Sequence, residues 1–281
     1  MSNNNDEKFT TAIGLGELLE KPEGQPIQAD KPMESYTVVC KNRSFARKVP
    51  FSYETVEDAK KIGNILQTTV GTWSKGIVLT KEKFYVKFFN KGAITAGHDV
   101  FNNTITGVID DPSGSEIYDS EPFFDTAHPD KVGNTYSNFE SARSLTYDNL
   151  KTSYLTYVNT NNRDERGEVI SLTPTALLIP TALKFTAQEL LQTTAIPDSF
   201  DNTINVLAAI VSPIEWAQLD DTDSWFLGIP KEGLMATERE GISLDFWQDE
   251  ETLDYYARIF TRFGGAVTNW RYWMAHNLST S

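Results

Sequence analysis

Pro122-Phe-Phe-Asp-Thr-Ala-His-Pro-Asp130 opens the stretch whose reading decides the fold. It passes Asn134-Thr-Tyr-Ser-Asn138 and a polar helical segment. It closes with Ser171-Leu-Thr-Pro-Thr-Ala-Leu-Leu-Ile-Pro180 and Phe185-Thr-Ala-Gln-Glu-Leu-Leu191. Within it, Leu145, Leu150, Tyr154, Leu155 and Val158 predict a helix from Ser141 to Val158. Asn159 to Gly167 reads as a polar turn. Ala176-Leu-Leu-Ile-Pro180 is a short apolar run ended by proline, which predicts a buried strand. A helix follows, with Thr186-Ala-Gln-Glu189 as an internal capping box.

Downstream, Val206-Leu-Ala-Ala-Ile-Val211 and Trp225-Phe-Leu-Gly-Ile229 predict further buried strands. Ser243 to Trp247 and Ala257 to Trp273 read as aromatic-rich strands of a closing sheet. Upstream, Asp99 to Asn138 is rich in Asp, Gly, Pro, Asn and Thr, with one short strand expected at Ile105-Thr-Gly-Val-Ile109. A loop this long in a compact domain implies a job.

A long helix is predicted from Thr55 to about Asn90. Ala59, Ile62, Leu66, Val70, Trp73 and Ile77 recur every three or four residues, and Phe84, Tyr85, Phe88 and Phe89 continue the face. Gly63, Gly71 and Gly76 leave open a second reading, two helices broken near Gly76. Tyr36 to Cys40 and Ser44 to Phe51 predict a β-hairpin around Lys41-Asn-Arg43. Residues 1–30 read as an arm, because the prolines of Lys21-Pro-Glu-Gly-Gln-Pro26 oppose a helix.

The 281 residues carry a formal charge of −14, which opposes general nucleic-acid binding. Residues 1–140 hold 15 basic against 20 acidic side chains, and residues 141–281 hold 10 against 19. Lys41, Arg43, Arg47 and Lys48 form a compact basic cluster; Asp220, Asp221 and Asp223, then Asp245, Asp249, Glu250, Glu251 and Asp254, are acidic. These are either solvated faces or complementary strips by which one copy docks on another. No apolar run is long enough to span a membrane. The N-terminal residues lack the pattern of a secretion signal. The single Cys40 fits a reducing compartment.

Catalytic signatures are missing. Gly14-Leu-Gly16 lacks the preceding strand and third glycine of a dinucleotide site. One cysteine and three histidines cannot build a common zinc site. Asp125, His128 and Asp130 are chemically suited to a metal, which keeps open a metal-dependent hydrolase, but a hydrogen-bonded loop is the simpler reading. Asp110, Asp111, Asp119 and Glu121 do not match a calcium loop. His98 beside Asp99 has no nearby nucleophile. Trp270, Tyr272 and Trp273 beside Arg271 read as core or interface rather than a base-stacking platform.

The order of these segments resembles the Mu-like major head subunit family, a branch of tailed-bacteriophage major capsid proteins with the Hong Kong 97-type fold. Phe124, His128, Asn138, Pro174, Leu177, Leu178, Pro180, Phe185, Ala187, Leu190 and Leu191 carry the resemblance. Ile210-Val-Ser-Pro213, Trp225-Phe-Leu227 and Phe260 to Trp273 with Asn269-Trp-Arg271 extend it. It implies an α+β capsid fold: an N-terminal arm (1–30), an extended hairpin loop (31–52), a peripheral domain with a long spine helix (53–146 and 230–281) and an axial domain (147–229). It further implies a structural protein, not an enzyme, with no catalytic, cofactor or metal residues. Copies would form hexamers and pentamers of an icosahedral shell enclosing double-stranded phage DNA, with portal and scaffold or decoration proteins as partners and no membrane. The shell would assemble in the host cytoplasm and become part of the virion. An encapsulin-like nanocompartment shell is the alternative on the same fold. Lys41, Arg43, Arg47 and Lys48 are the candidate inter-subunit contacts.

Overall fold

The computed structural model describes residues 6–13, 20–21, 23–24, 26–27, 33–54, 62–94, 117–194 and 204–279. The strand expected at Ile105–Ile109, the cap at Thr55, and the features at Gly14-Leu-Gly16, His98 and Asp110-Asp111 lie outside those residues. The chain divides into two units. The first comprises Met1–Glu7, Cys40–Val86 and Ala236–Gly265; the second comprises Lys8–Val39, Lys87–Met235 and Ala266–Ser281.

Strands β1 (Asp6–Ile13) and β2 (Met33–Lys41) pair as a two-stranded sheet, with the Thr10 and Thr37 hydroxyls 2.8 Å apart. Strand β3 (Arg43–Phe51) follows after one residue but joins a different sheet. This corrects the expected hairpin. Lys41-Asn-Arg43 has a turn-like composition, but Asn42 is buried and works as a joint: the Thr237 hydroxyl lies 2.8 Å from its Oδ1 and 3.1 Å from the buried Cys40 Sγ. Burial pushes the Cys40 thiol pKa up, so it stays a protonated core group.

Helix α1 (Ile62–Asn90) is unbroken through Gly71 and Gly76, which settles the two-helix alternative. A Cβ at either glycine meets nothing within 4 Å, so these residues lighten an open face rather than permit a close contact. The helix spans about 44 Å at the usual rise. It ends at Asn90, as its periodicity predicts.

In the first unit, α1 packs on a sheet of order β10-β11-β3, formed by β10 (Leu234–Gln248), β11 (Tyr255–Val267) and β3. The antiparallel register runs from Tyr255↔Phe51 to Phe263↔Arg43. Phe45 stacks on Phe263 at 4.4 Å, and Phe84 of α1 meets both rings edge-on. Such pairs add about 0.5–1.5 kcal/mol each beyond area burial. The Tyr85 hydroxyl donates to the Gly264 carbonyl at 3.2 Å, and burial raises its pKa to about 12.

Gly264 is where the backbones meet most closely: a Cβ there would sit 2.4 Å from the Lys41 carbonyl oxygen. Gly264→Ala is therefore expected to cost about 1–3 kcal/mol, the range for overpacking. Urea unfolding measures it; a loss of a few tenths would contradict this close approach.

The second unit holds a five-stranded sheet of order β6-β12-β9-β7-β8, from β6 (Phe139–Glu140), β7 (Ala176–Ile179), β8 (Ser212–Glu215), β9 (Trp225–Gly228) and β12 (Trp273–His276). Every residue of β7, β9 and β12 is buried, so these strands read as continuous apolar runs covered on both faces. One face packs Leu177, Ile179, Trp225, Leu227 and Met274 with Leu150 of α2 (Tyr147–Thr156) and Leu190 and Leu191 of α3 (Lys184–Gln192). On the other, Phe226 and Trp273 meet Phe89 at 5.2 and 5.0 Å. A separate small pair, β4 (His128–Pro129) and β5 (Thr135–Tyr136), folds the loop before this sheet.

Several local expectations are corrected. Val206–Val211 is a turn; the strand lies one step later, at β8, parallel to β7 and exposed. Asn205 forces the turn by donating to the Leu190 and Thr193 carbonyls and accepting from the Leu207 amide. Helix α2 starts at Tyr147 rather than Ser141, because the Thr146 hydroxyl caps it by accepting from the Asn149 amide. It ends in a π-helical turn at Tyr157–Asn161. Helix α3 starts at Lys184, so Thr186 caps nothing. The Ala257–Trp273 segment is two strands, β11 and β12, separated by a 3-10 turn at Trp270–Tyr272.

Candidate functional site

The stretch beginning at Pro122 is organised by Asn138, which is fully buried. Its Oδ1 accepts from the Asp125 amide at 2.9 Å. Its Nδ2 donates to the carbonyls of Phe123 at 2.9 Å and Trp273 at 3.1 Å. One side chain thus ties the loop to the start of β12.

His128 lies beside it, also fully buried. Its Nδ1 is 2.7 Å from Asp119 Oδ2 and its Nε2 is 3.0 Å from Asn138 Oδ1. The Asn138 amide nitrogen is committed to carbonyls, so its Oδ1 accepts from the His128 ring. The ring stacks on Trp270 at 4.3 Å with an interplanar angle of 9°.

The same indole also holds a cation, Arg271. The Arg271 guanidinium lies 4.5 Å from the Trp270 ring centre. Its Nη1 donates to Glu165 Oε1 at 2.8 Å and its Nε donates to the Arg163 carbonyl. The two side chains of this ion pair are only 2% and 8% exposed. The Trp270 amide donates to the Tyr118 hydroxyl, whose pKa burial raises. The result is a buried clasp around one tryptophan, built from the Arg271–Glu165 ion pair and the His128–Asp119 hydrogen bond.

Each member of the candidate metal trio has hydrogen-bond partners around it. Asp125 accepts from the Ala127 amide. Asp130 accepts from the Val132 and Asn134 amides and from Asn134 Nδ2; burial opposes its charge, but these bonds outweigh it and lower its pKa. His128 serves Asp119 and Asn138. Asp125, His128 and Asp130 are each spent on loop geometry, and among the described residues no cluster of three His, Cys, Asp or Glu could hold a metal. His276 is likewise structural: it stacks on Trp225 at 3.8 Å, and burial, with the Arg143 charge adding, lowers its pKa to about 3.

The basic cluster is split. Lys41 ends β2 and the other three lie on β3. Strand alternation puts Arg43 and Arg47 on the face bearing Phe45, and Lys48 on the opposite face, its Nζ 4.3 Å from the Tyr256 ring centre. Of the predicted acidic partners, Asp245 pairs with Arg258 at 2.6 Å within the same chain. Sequence reasoning missed Glu165 and the central place of Asn138. Neither belongs to a periodic pattern, and each has a partner more than 100 positions away, Arg271 for Glu165 and the Trp273 carbonyl for Asn138.

The family described as phage capsid protein matches residues 36–275. A search of curated proteins finds no match. Solved structures share the fold at low identity. A chain from Mycobacterium phage Che8 is 13% identical, with a TM-score of 0.56 over 99% of this chain and 86% of that one. The capsid of Ralstonia phage GP4 is 9% identical, with a TM-score of 0.55 over 98% and 83%. The mature capsid of bacteriophage PhiM1 is 11% identical, with a TM-score of 0.57 over 99% and 83%. The fold is the Hong Kong 97-type α+β fold that the order of segments implies. With the family match running from β2 into β12, the chain belongs to the phage capsid protein family and is a major capsid protein of the tailed-phage kind.

Proposed function

We propose that copies of this chain form hexamers and pentamers that close an icosahedral shell around double-stranded phage DNA, in the host cytoplasm, as the protein part of the virion head. The family match over most of the chain carries this reading, and it favours a phage head over a nanocompartment on the same fold. Residues 53–146 and 230–281 are assigned to the peripheral domain and 147–229 to the axial domain. The extended loop is assigned to paired strands β1 and β2, in place of a hairpin closed at Asn42. Portal and scaffold or decoration proteins complete the head. The charge of −14 suits a container, because few phosphate contacts can form and packaged DNA does not adhere. No catalytic step is assigned.

Lys41, Arg43, Arg47 and Lys48 are proposed as contacts to a neighbouring copy. Arg43→Glu with Arg47→Glu is expected to block shell closure while leaving subunits folded. Negative-stain microscopy of the expressed protein reads the result. Wild-type preparations should show closed shells or rings; dispersed monomers at high concentration would refute self-assembly, and normal shells from the double variant would refute the basic contact.

A further inference from the structure

The sheet of the first unit has two unlike open edges. At one, β10 carries Ile242, Leu244 and Phe246 at alternate positions, 58%, 36% and 52% exposed. Alternation puts Glu238 and Glu240 on the same face. That is the face α1 covers elsewhere, since Lys81 of the helix bonds Glu238 at 3.1 Å and lies over the Phe263 ring. The helix therefore roofs β11 and β3 and leaves the β10 stripe bare. Exposed apolar edge strands are normally blunted by charge or proline; here Glu238 and Glu240 flank the stripe on this face, and no charge falls between Ile242 and Phe246 on it.

Towards the other edge, α1, β3 and the central strand β11 enclose a groove of about 410 Å³ lined by Phe45, Trp73, Ile77 and Ile259, with Arg47 on its wall. Its lining is mixed, with Thr72, Thr80 and Thr261 among the apolar side chains, and it carries a cation where the stripe is flanked by the exposed carboxylate Glu240. Charge is complementary between the two: Arg47 stands on the groove wall and Glu240 beside the stripe, and each surface offers exposed or partly exposed apolar side chains.

We propose that the β10 stripe of one copy occupies the α1/β3 groove of the next, with Glu240 directed towards Arg47. The contact joins two different surfaces, so it is heterologous: repeated from copy to copy, it closes a ring or grows a chain. It deepens the self-assembly reading and rests on it. Apolar burial supplies affinity, and the charge pair fixes register.

Two lesions test it. Leu244→Lys with Phe246→Lys breaks the stripe on an exposed face. Gly76→Phe fills the groove, at a position whose Cβ meets open space. Each variant alone, checked for folding by circular dichroism, is expected to lose shells and rings by at least roughly tenfold, as for a hot-spot contact. Mixed, the two should form one-to-one pairs that grow no further, because each retains the half the other lacks. A Leu244→Cys, Thr72→Cys variant should give a ladder of covalent oligomers on oxidation, which decides the matter even if a lesion impairs folding. Normal shells from either lesion, a mixture that stays monomeric, or no ladder overturns the contact. Wild-type protein that makes neither ring nor shell overturns the self-assembly reading itself, and this contact with it.

Discussion

Glu165→Leu is expected to destabilise the second unit by about 3–5 kcal/mol, the usual cost of removing one partner from a buried ion pair. The side chains of Glu165 and Arg271 are 8% and 2% exposed, and Nη1 and Oε1 are 2.8 Å apart. Without the carboxylate, the guanidinium keeps the Arg163 carbonyl and the Trp270 ring, but its charge stays buried and uncompensated. The double variant Glu165→Leu, Arg271→Met removes both charges and replaces them with apolar groups. It should recover most of the loss, since such swaps are often close to neutral. Urea unfolding followed by tryptophan fluorescence, with Trp270 stacked at the site, distinguishes the two. A single variant that loses under about 1 kcal/mol, or a double variant as unstable as the single, would show that the pair is not the clasp it resembles.

What was legible in the sequence was whatever is written in local periodicity. Helix α1 ends at Asn90 because Phe84, Phe88 and Phe89 form a sustained apolar face that stops there. Strands β7 and β9 were legible because a strand buried on both faces is an uninterrupted apolar run. What escaped was decided by distant partners. Val206–Val211 has the composition of a buried strand, but Asn205 captures the carbonyls of Leu190 and Thr193 and turns the chain. Lys41-Asn-Arg43 has the composition of a hairpin turn, but Thr237, nearly 200 residues on, makes Asn42 a buried joint. The acid–base appearance of Asp125, His128 and Asp130 dissolves for the same reason, since Asp119, Asn138 and Trp270 supply their surroundings. The ordered series of segments was the better guide to the family than any single residue in it.

Asn138→Ala should be the costliest neutral substitution in the second unit, at about 4 kcal/mol. The estimate follows from counting what is stranded. The Asp125 amide, His128 Nε2 and the Phe123 carbonyl lose their partner, and the Trp273 carbonyl keeps only the longer bond from Asn161 Nδ2 at 3.4 Å. A buried polar group left without a hydrogen bond costs roughly 1–3 kcal/mol, and partial relaxation keeps the sum below four full penalties. The change in volume is minor by comparison, so a simple cavity account predicts much less. Asn149→Ala provides the contrast: its Nδ2 donates to the Ser144 carbonyl at 2.8 Å on an exposed turn, where water replaces it, and the loss should stay under about 1 kcal/mol. The same chemical deletion thus separates two explanations of Asn138. If both variants lose similar stability, Asn138 is an ordinary loop residue. If Asn138→Ala loses several times more, the stretch opened by Pro122 is held to the β12 strand through this one amide, and the capsid fold depends on it.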